Sequence, residues 1–136
     1  MKPYALDTNV IIDYFKNKKR VVENFDVAHA DGYKLIISQP VHYEMARGFL
    51  CYPAPKKEQA YKFMLSSSIC EFIKMDAKTW KRAEQVYLQL YEKRITVGDM
   101  DILIAAQCLA HNYTLVTANT KHFEIIDGLA VVDWTV

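Results

Sequence analysis

The stretch Tyr4-Ala5-Leu6-Asp7-Thr8-Asn9 limits this chain more than any other. A short apolar strand stops there at an acid and passes directly into the helix-like run Val10-Ile11-Ile12-Asp13-Tyr14-Phe15. In an open parallel sheet, ligands bind in the crevice beyond the carboxyl ends of the strands, and Asp7 would stand at that place. The same residues also suit a plain helix cap, in which Asp7 or Thr8 accepts a hydrogen bond from a free N–H of the first turn. What decides between the two is whether other acids reach the same sheet edge.

The chain has 136 residues, 51% of them hydrophobic, with four glycines and four prolines, which suits one core and a single domain over residues 1–136. Its formal net charge of +1 excludes a global basic field, so any contact with nucleic acid must be local. Cys51, Cys70 and Cys108 are odd in number, far apart and without CxxC spacing, against both a disulfide framework and a thiolate zinc site. His29, His42, His111 and His122 form no HExxH pair and suit surface or core imidazoles. Met1-Lys2-Pro3 leads at once into the strand with no signal-peptide core, and no apolar run approaches the ~18 residues of a membrane span. The expected location is cytoplasmic, away from membranes.

Further elements follow in order. A basic cluster, Lys16 to Arg20, suits either a phosphate contact or a solvated turn, and an amphipathic helix from Val21 to about Ala30 stops at Asp31-Gly32. Lys34 to Ser38 is a second strand. Ser38 and Pro40 then open a helix ending near Gly48, with Glu44 one turn inside it and Arg47 within i,i+3 reach. A helix from Lys56 to Leu65 and a short edge strand within Cys70–Met75 lead to a long helix from Asp76, as cap, to about Arg94. Its Trp80, Ala83, Tyr87, Leu90 and Tyr91 recur at helical spacing, as a core stripe or a subunit contact would. Ile102 to Ala110 is apolar almost all round and predicts a buried helix, with Asp101 in line with Ile104, Ala105 and Cys108 and with no polar partner on that side. Asp99 suits the cap of that helix. Tyr113 to Thr117 is a strand ending in Ala118-Asn119-Thr120, and Ala130 to Trp134 is a last short one.

If Asp7, Glu44, Asp101 and Asn119 converge at one sheet edge, their charges conflict. Two carboxylates about 4 Å apart at an effective dielectric of ~20 repel by roughly 4 kcal/mol, which a divalent cation would resolve. Ligands that are all oxygen select hard ions, Mg²⁺ or Mn²⁺, which keep several waters and bind phosphate. That chemistry suits hydrolysis of a phosphodiester. Asp7 and Asp101 would be direct ligands, Glu44 would hold a second metal or orient the water, and Asn119 would position water or phosphate.

In these residues the chain resembles the PIN-domain ribonucleases, and among them the VapC toxins of bacterial toxin–antitoxin pairs. The matching pieces are Leu6-Asp7-Thr8-Asn9, Tyr43 to Gly48, Gly98 to Ala106, Leu115 to Phe123 and the ending from Gly128 to Trp134, while Cys51 to Arg94 carries no motif. The family's three acids fall on Asp7, Glu44 and Asp101. Its fourth polar position, often Asp, falls on Asn119, and Asp99 is either a stand-in carboxylate or a cap. The resemblance implies an α/β PIN fold, a three-layer α/β/α arrangement with a parallel sheet of about four to five strands between helices. It further implies a Mg²⁺-dependent endoribonuclease, often a homodimer, that cuts structured RNA such as tRNA or rRNA and is silenced by a VapB-like antitoxin.

Two alternatives accompany this reading. One is a PIN-fold RNA-binding or interaction module without catalysis, for which the neutral Asn119 speaks. The other is a phosphatase of the haloacid dehalogenase type, but that chemistry needs a second acid two residues after the nucleophile, where this chain has Asn9.

Overall fold

Strands and helices alternate along the chain. In the computed structural model, which describes residues 1–136, they run β1 (Tyr4–Leu6), α1 (Thr8–Phe15), α2 (Lys19–Ala30), β2 (Leu35–Ser38), α3 (Gln39–Cys51) and α4 (Pro55–Ser66). They continue as β3 (Cys70–Ile73), α5 (Ala77–Glu92), α6 (Asp99–His111), β4 (Thr114–Val116), α7 (Thr120–Phe123) and β5 (Val131–Val132). The five strands form one parallel sheet in the order β3-β2-β1-β4-β5, with helices flanking it as the sequence predicts.

Strand length and composition explain this arrangement. Leu35, Ile36 and Ile37 are all buried, as expected for a strand covered on both faces rather than one with a solvent side. They belong to one cluster of 29 buried apolar residues that also takes in Leu6, Val10 and Ile11 from the N-terminal segment, and Ile104, Ala105 and Cys108 from α6. Register pairs Ala5 with Ile36 on one side and Leu6 with Val116 on the other. The chain moves from β1 outward through β2 and β3, then returns to place β4 on the opposite side of β1. The direction of winding therefore reverses between β1 and β4, and both strands end at that crevice.

Local signals hold at most element ends. Ser38 Oγ accepts from Val41 N at 3.4 Å, and Asp76 Oδ1 accepts from Thr79 N at 2.8 Å, so both expected caps are formed. Gly32, with φ of +86°, closes the turn after α2 in the left-handed region that glycine enters without steric cost. The basic cluster forms a solvated turn running into α2, where Lys18 pairs with Asp13 and Lys19 with Glu23.

Three expectations differ in detail. Helix α3 does not end near Gly48 but continues to Cys51, because Pro53 restricts Tyr52 before it and supplies the actual stop. The aromatic stripe of α5 is not core: Thr79, Ala83, Val86 and Leu90 form the buried seam, while Trp80, Tyr87 and Tyr91 lie exposed. Trp80 and Tyr87 each follow a seam residue by one position, a rotation of about 100° that carries them off the packed face. The C-terminal strand is only Val131–Val132, paired to Leu115 and Val116.

Removing the buried branch of Ile36 by Ile36→Ala is expected to cost about 2–5 kcal/mol. Urea unfolding should show a lowered midpoint with an unchanged slope, since the surface exposed on unfolding is the same.

Candidate active site

Asp7 follows β1 directly, so the strand's own register fixes its place at the crevice. It is only 6% exposed. Its Oδ1 accepts from Thr8 N at 2.8 Å, which caps α1, and its Oδ2 accepts from Thr117 Oγ1 at 2.8 Å and from Asn9 Nδ2 at 3.2 Å. The cap and the site are thus the same side chain. Thr117, buried at the end of β4, also accepts from Asn119 N at 3.0 Å. Asn9 reaches across the same gap, donating to Thr117 Oγ1 at 3.3 Å and accepting from Ala118 N at 3.2 Å.

Two further acids stand beside Asp7. Glu44, on the second turn of α3, accepts from Thr8 Oγ1 at 2.7 Å through Oε1, and its Oε2 lies 3.5 Å from Arg47 Nη2. The expected i,i+3 pair is therefore present, but it uses one oxygen only. Asp101, in the first turn of α6, is a third exposed, and its Oδ2 lies 2.9 Å from His122 Nε2. The sequence predicted no polar partner for Asp101. The partner comes instead from α7, the short helix that follows β4.

The electrostatics follow from this placement. Burial is the largest influence on Asp7 and raises its pKa; the hydrogen bonds from Thr117 and Thr8 lower it, and the charges of Asp101 and Glu44 raise it. The net direction is upward, so three hydrogen bonds do not offset desolvation and two like charges. Burial likewise pushes the thiols of Cys70 and Cys108 up to about 12, which leaves them as inert core groups.

The other predicted residues are placed differently. Asn119 is exposed at the start of α7, and its side chain makes no capping bond. Asp99 is exposed and is not the cap of α6; Gly98 holds that position, and Asp99 is the first helical residue, where its charge favours the helix dipole. No three His, Cys, Asp or Glu side chains are already gathered as a metal-binding group. Each acid of the crevice is held instead by a hydroxyl, an amide, a guanidinium or an imidazole. An open, all-oxygen set of this kind still fits a hydrated hard cation, because Mg²⁺ is usually held by one or two carboxylates together with water and phosphate. The specific sign of that fit is the buried carboxylate of Asp7, which has Glu44 and Asp101 as like-charged neighbours and only neutral hydrogen-bond partners.

The PIN-domain family model matches residues 4–129. The chain belongs to the PIN-domain family. A VapC1 ribonuclease of Methanocaldococcus jannaschii is 32% identical, over 94% of this PIN domain and 85% of its own length. The tRNA(fMet)-specific endonuclease VapC of Shigella flexneri is 29% identical over 99% and 100% of the two chains. A crystal structure of Rickettsia felis VapBC2 bound to a DNA fragment from their promoter superposes with a TM-score of 0.83 at 31% identity, covering 96% of this PIN domain and 98% of that chain. This membership excludes the phosphatase alternative.

Sequence reasoning missed what His122 does and how closely Thr8, Asn9 and Thr117 are involved. The signal for the last three was present: both strands that flank the crevice end in small polar residues. For His122 the only signal was its place three residues after Asn119.

Because the proton on Asp7 is bound more tightly in the folded state, this group's contribution to stability is fully present below the ordinary carboxylate value of 3.8. It is lost as pH rises through Asp7's own, higher value. An NMR titration of the Asp7 carboxyl carbon should show a midpoint above 3.8, and Glu44→Gln should move that midpoint down by removing one like charge.

Proposed function

We propose that this PIN domain is a metal-dependent endoribonuclease, the VapC-like toxin of a toxin–antitoxin pair. The observation that carries the reading is the buried Asp7 at the end of β1, raised in pKa by burial first and then by the neighbouring Asp101 and Glu44, in a chain matched to the PIN family over residues 4–129. Relatives named as VapC ribonucleases, matched nearly end to end, support the same activity.

Asp7 and Asp101 are the residues that would hold Mg²⁺ or Mn²⁺, with Glu44 beside them and Asp99 near enough in sequence to serve as a further carboxylate. When bound, such a cation supplies Lewis-acid polarisation of the phosphoryl oxygen and lowers the pKa of water. Asp7 meets this task with its geometry already fixed by Thr8, Asn9 and Thr117. Glu44 would hold a second metal or orient the attacking water, with its Oε1 fixed by the Thr8 hydroxyl and its Oε2 beside Arg47. Asn119, exposed and free of capping duty, donates to phosphate or water at the rim.

The substrate we assign is structured RNA, tRNA or rRNA, and the tRNA-specific relative from Shigella flexneri favours the former. Solved complexes of relatives, VapBC2 among them, support a VapB-like antitoxin as partner. We further assign a homodimer, for which the exposed Trp80, Tyr87 and Tyr91 of α5 offer apolar surface. No helix is long and apolar enough to cross a membrane.

RNA cleavage should fall on the order of 100-fold or more in Asp7→Asn and in Asp101→Asn, the loss expected when several kcal/mol of charge stabilisation disappear. Circular dichroism should report an intact fold in both. Asp99→Asn should lose activity only in part, since Asp99 is exposed on the first turn of α6. Sequencing of RNA ends after induction of wild type and Asp7→Asn checks the substrate; wild-type activity in both aspartate variants refutes the assignment.

A further inference from the structure

Asp101 has a single side-chain partner, and it is an imidazole. His122 Nε2 lies 2.9 Å from Asp101 Oδ2. A carboxylate oxygen only accepts, so Nε2 carries the hydrogen and donates it. The ring is itself held in place. It stands edge-on to Phe123, centroids 5.4 Å apart at 82°, and Phe123 is fully buried. The backbone N–H of His122 donates to Asn119 O at 3.2 Å, which ties the residue to the exit of β4.

The same short segment therefore serves two acids. Thr117, at its start, donates to Asp7, and His122, five residues on, donates to Asp101. One oxygen of Asp101 is engaged by the ring, and the other has no protein partner. A carboxylate held at one oxygen keeps a single rotamer and leaves the second oxygen free to ligate a cation, whereas an unheld one must be ordered when a cation arrives.

We infer that His122 is a positioning residue, whose Nε2–H fixes Asp101 in the orientation in which it ligates a divalent cation. The inference rests on the metal reading given above for the same crevice. It concerns orientation by a hydrogen bond, so a side chain that restores an N–H at the same point should restore the effect, and one that fills the same space without an N–H should not.

Calorimetric titration with Mn²⁺ in the absence of RNA reads this directly. His122→Phe keeps the ring volume and removes the donor; its Mn²⁺ affinity should fall by about 10–100-fold, the range found when the outer partner of a metal ligand is lost. His122→Ala should behave alike. His122→Gln, whose amide nitrogen reaches the position of Nε2, should recover most of the affinity, and urea midpoints should separate affinity loss from unfolding. Mn²⁺ binding by His122→Phe and His122→Ala as tight as wild type, or tighter, overturns the inference. Asp101→Asn is the control for the reading beneath it: if wild type and Asp101→Asn bind Mn²⁺ equally or not at all, the metal assignment falls too. A clear difference between those two, with no effect at His122, defeats the positioning role alone.

Discussion

A buried negative charge next to two others is the constraint from which the rest of this site follows. Asp7 is nearly inaccessible, and its neighbours Glu44 and Asp101 raise its pKa further. Hydrogen bonds to a charged group contribute about 1.5–3 kcal/mol each, while like charges in such a setting oppose one another by several kcal/mol. The upward shift survives three hydrogen bonds to one carboxylate because burial, the largest influence, acts in the same direction as the two like charges. A fold holds such a group only when the surrounding structure determines its place. Here that structure is the sheet edge: the backbone N–H of Asp7 donates to Val116 O, and Thr8, Asn9 and Thr117 hold its carboxylate.

The parallel topology makes the arrangement possible with very short strands. β1 and β4 have three residues each, yet they are neighbours in register, so the residues just beyond them meet across the crevice. Asn9 and Thr117 are 108 positions apart in sequence and hydrogen-bonded in space. Glu44 arrives by a different route, on a helix that begins at the end of β2, and Asp101 by a third, at the start of the buried α6. Helix α6 runs back through the core with Ile104, Ala105 and Cys108 inside, and this anchors its first turn at the crevice.

Strand and helix identities were legible because each rests on local pattern: β2 on a branched apolar run between Gly32 and Pro40, α6 on an uninterrupted apolar stretch. The order of the acids was legible too, since a strand-end aspartate, a helical glutamate and a helix-opening aspartate can be recognised one at a time. What sequence did not disclose depended on rotation or on distant contact. The exposed aromatics of α5 differ from its buried seam by one residue, a distinction that spacing alone blurs when large side chains recur at the same period. Gly98 rather than Asp99 caps α6, because the backbone at Gly98 is extended and the helix begins one residue earlier than side-chain preference suggests. The partner of Asp101 is 21 residues away on a four-residue helix, too short to leave a periodic trace.

Asn119 is neutral at the place where the resemblance leads one to expect a fourth acid, and the geometry gives that neutrality a physical sense. A fourth carboxylate there would bring another like charge toward a crevice in which Asp7 is already raised by two. The segment that carries Asn119 contributes through other atoms: Thr117 donates to Asp7, the backbone N–H of Asn119 secures Thr117, and His122 donates to Asp101. These contacts order the acids without adding charge. A neutral residue at position 119 is therefore compatible with the function of the loop, because what the loop supplies is the orientation of two carboxylates delivered from elsewhere in the fold.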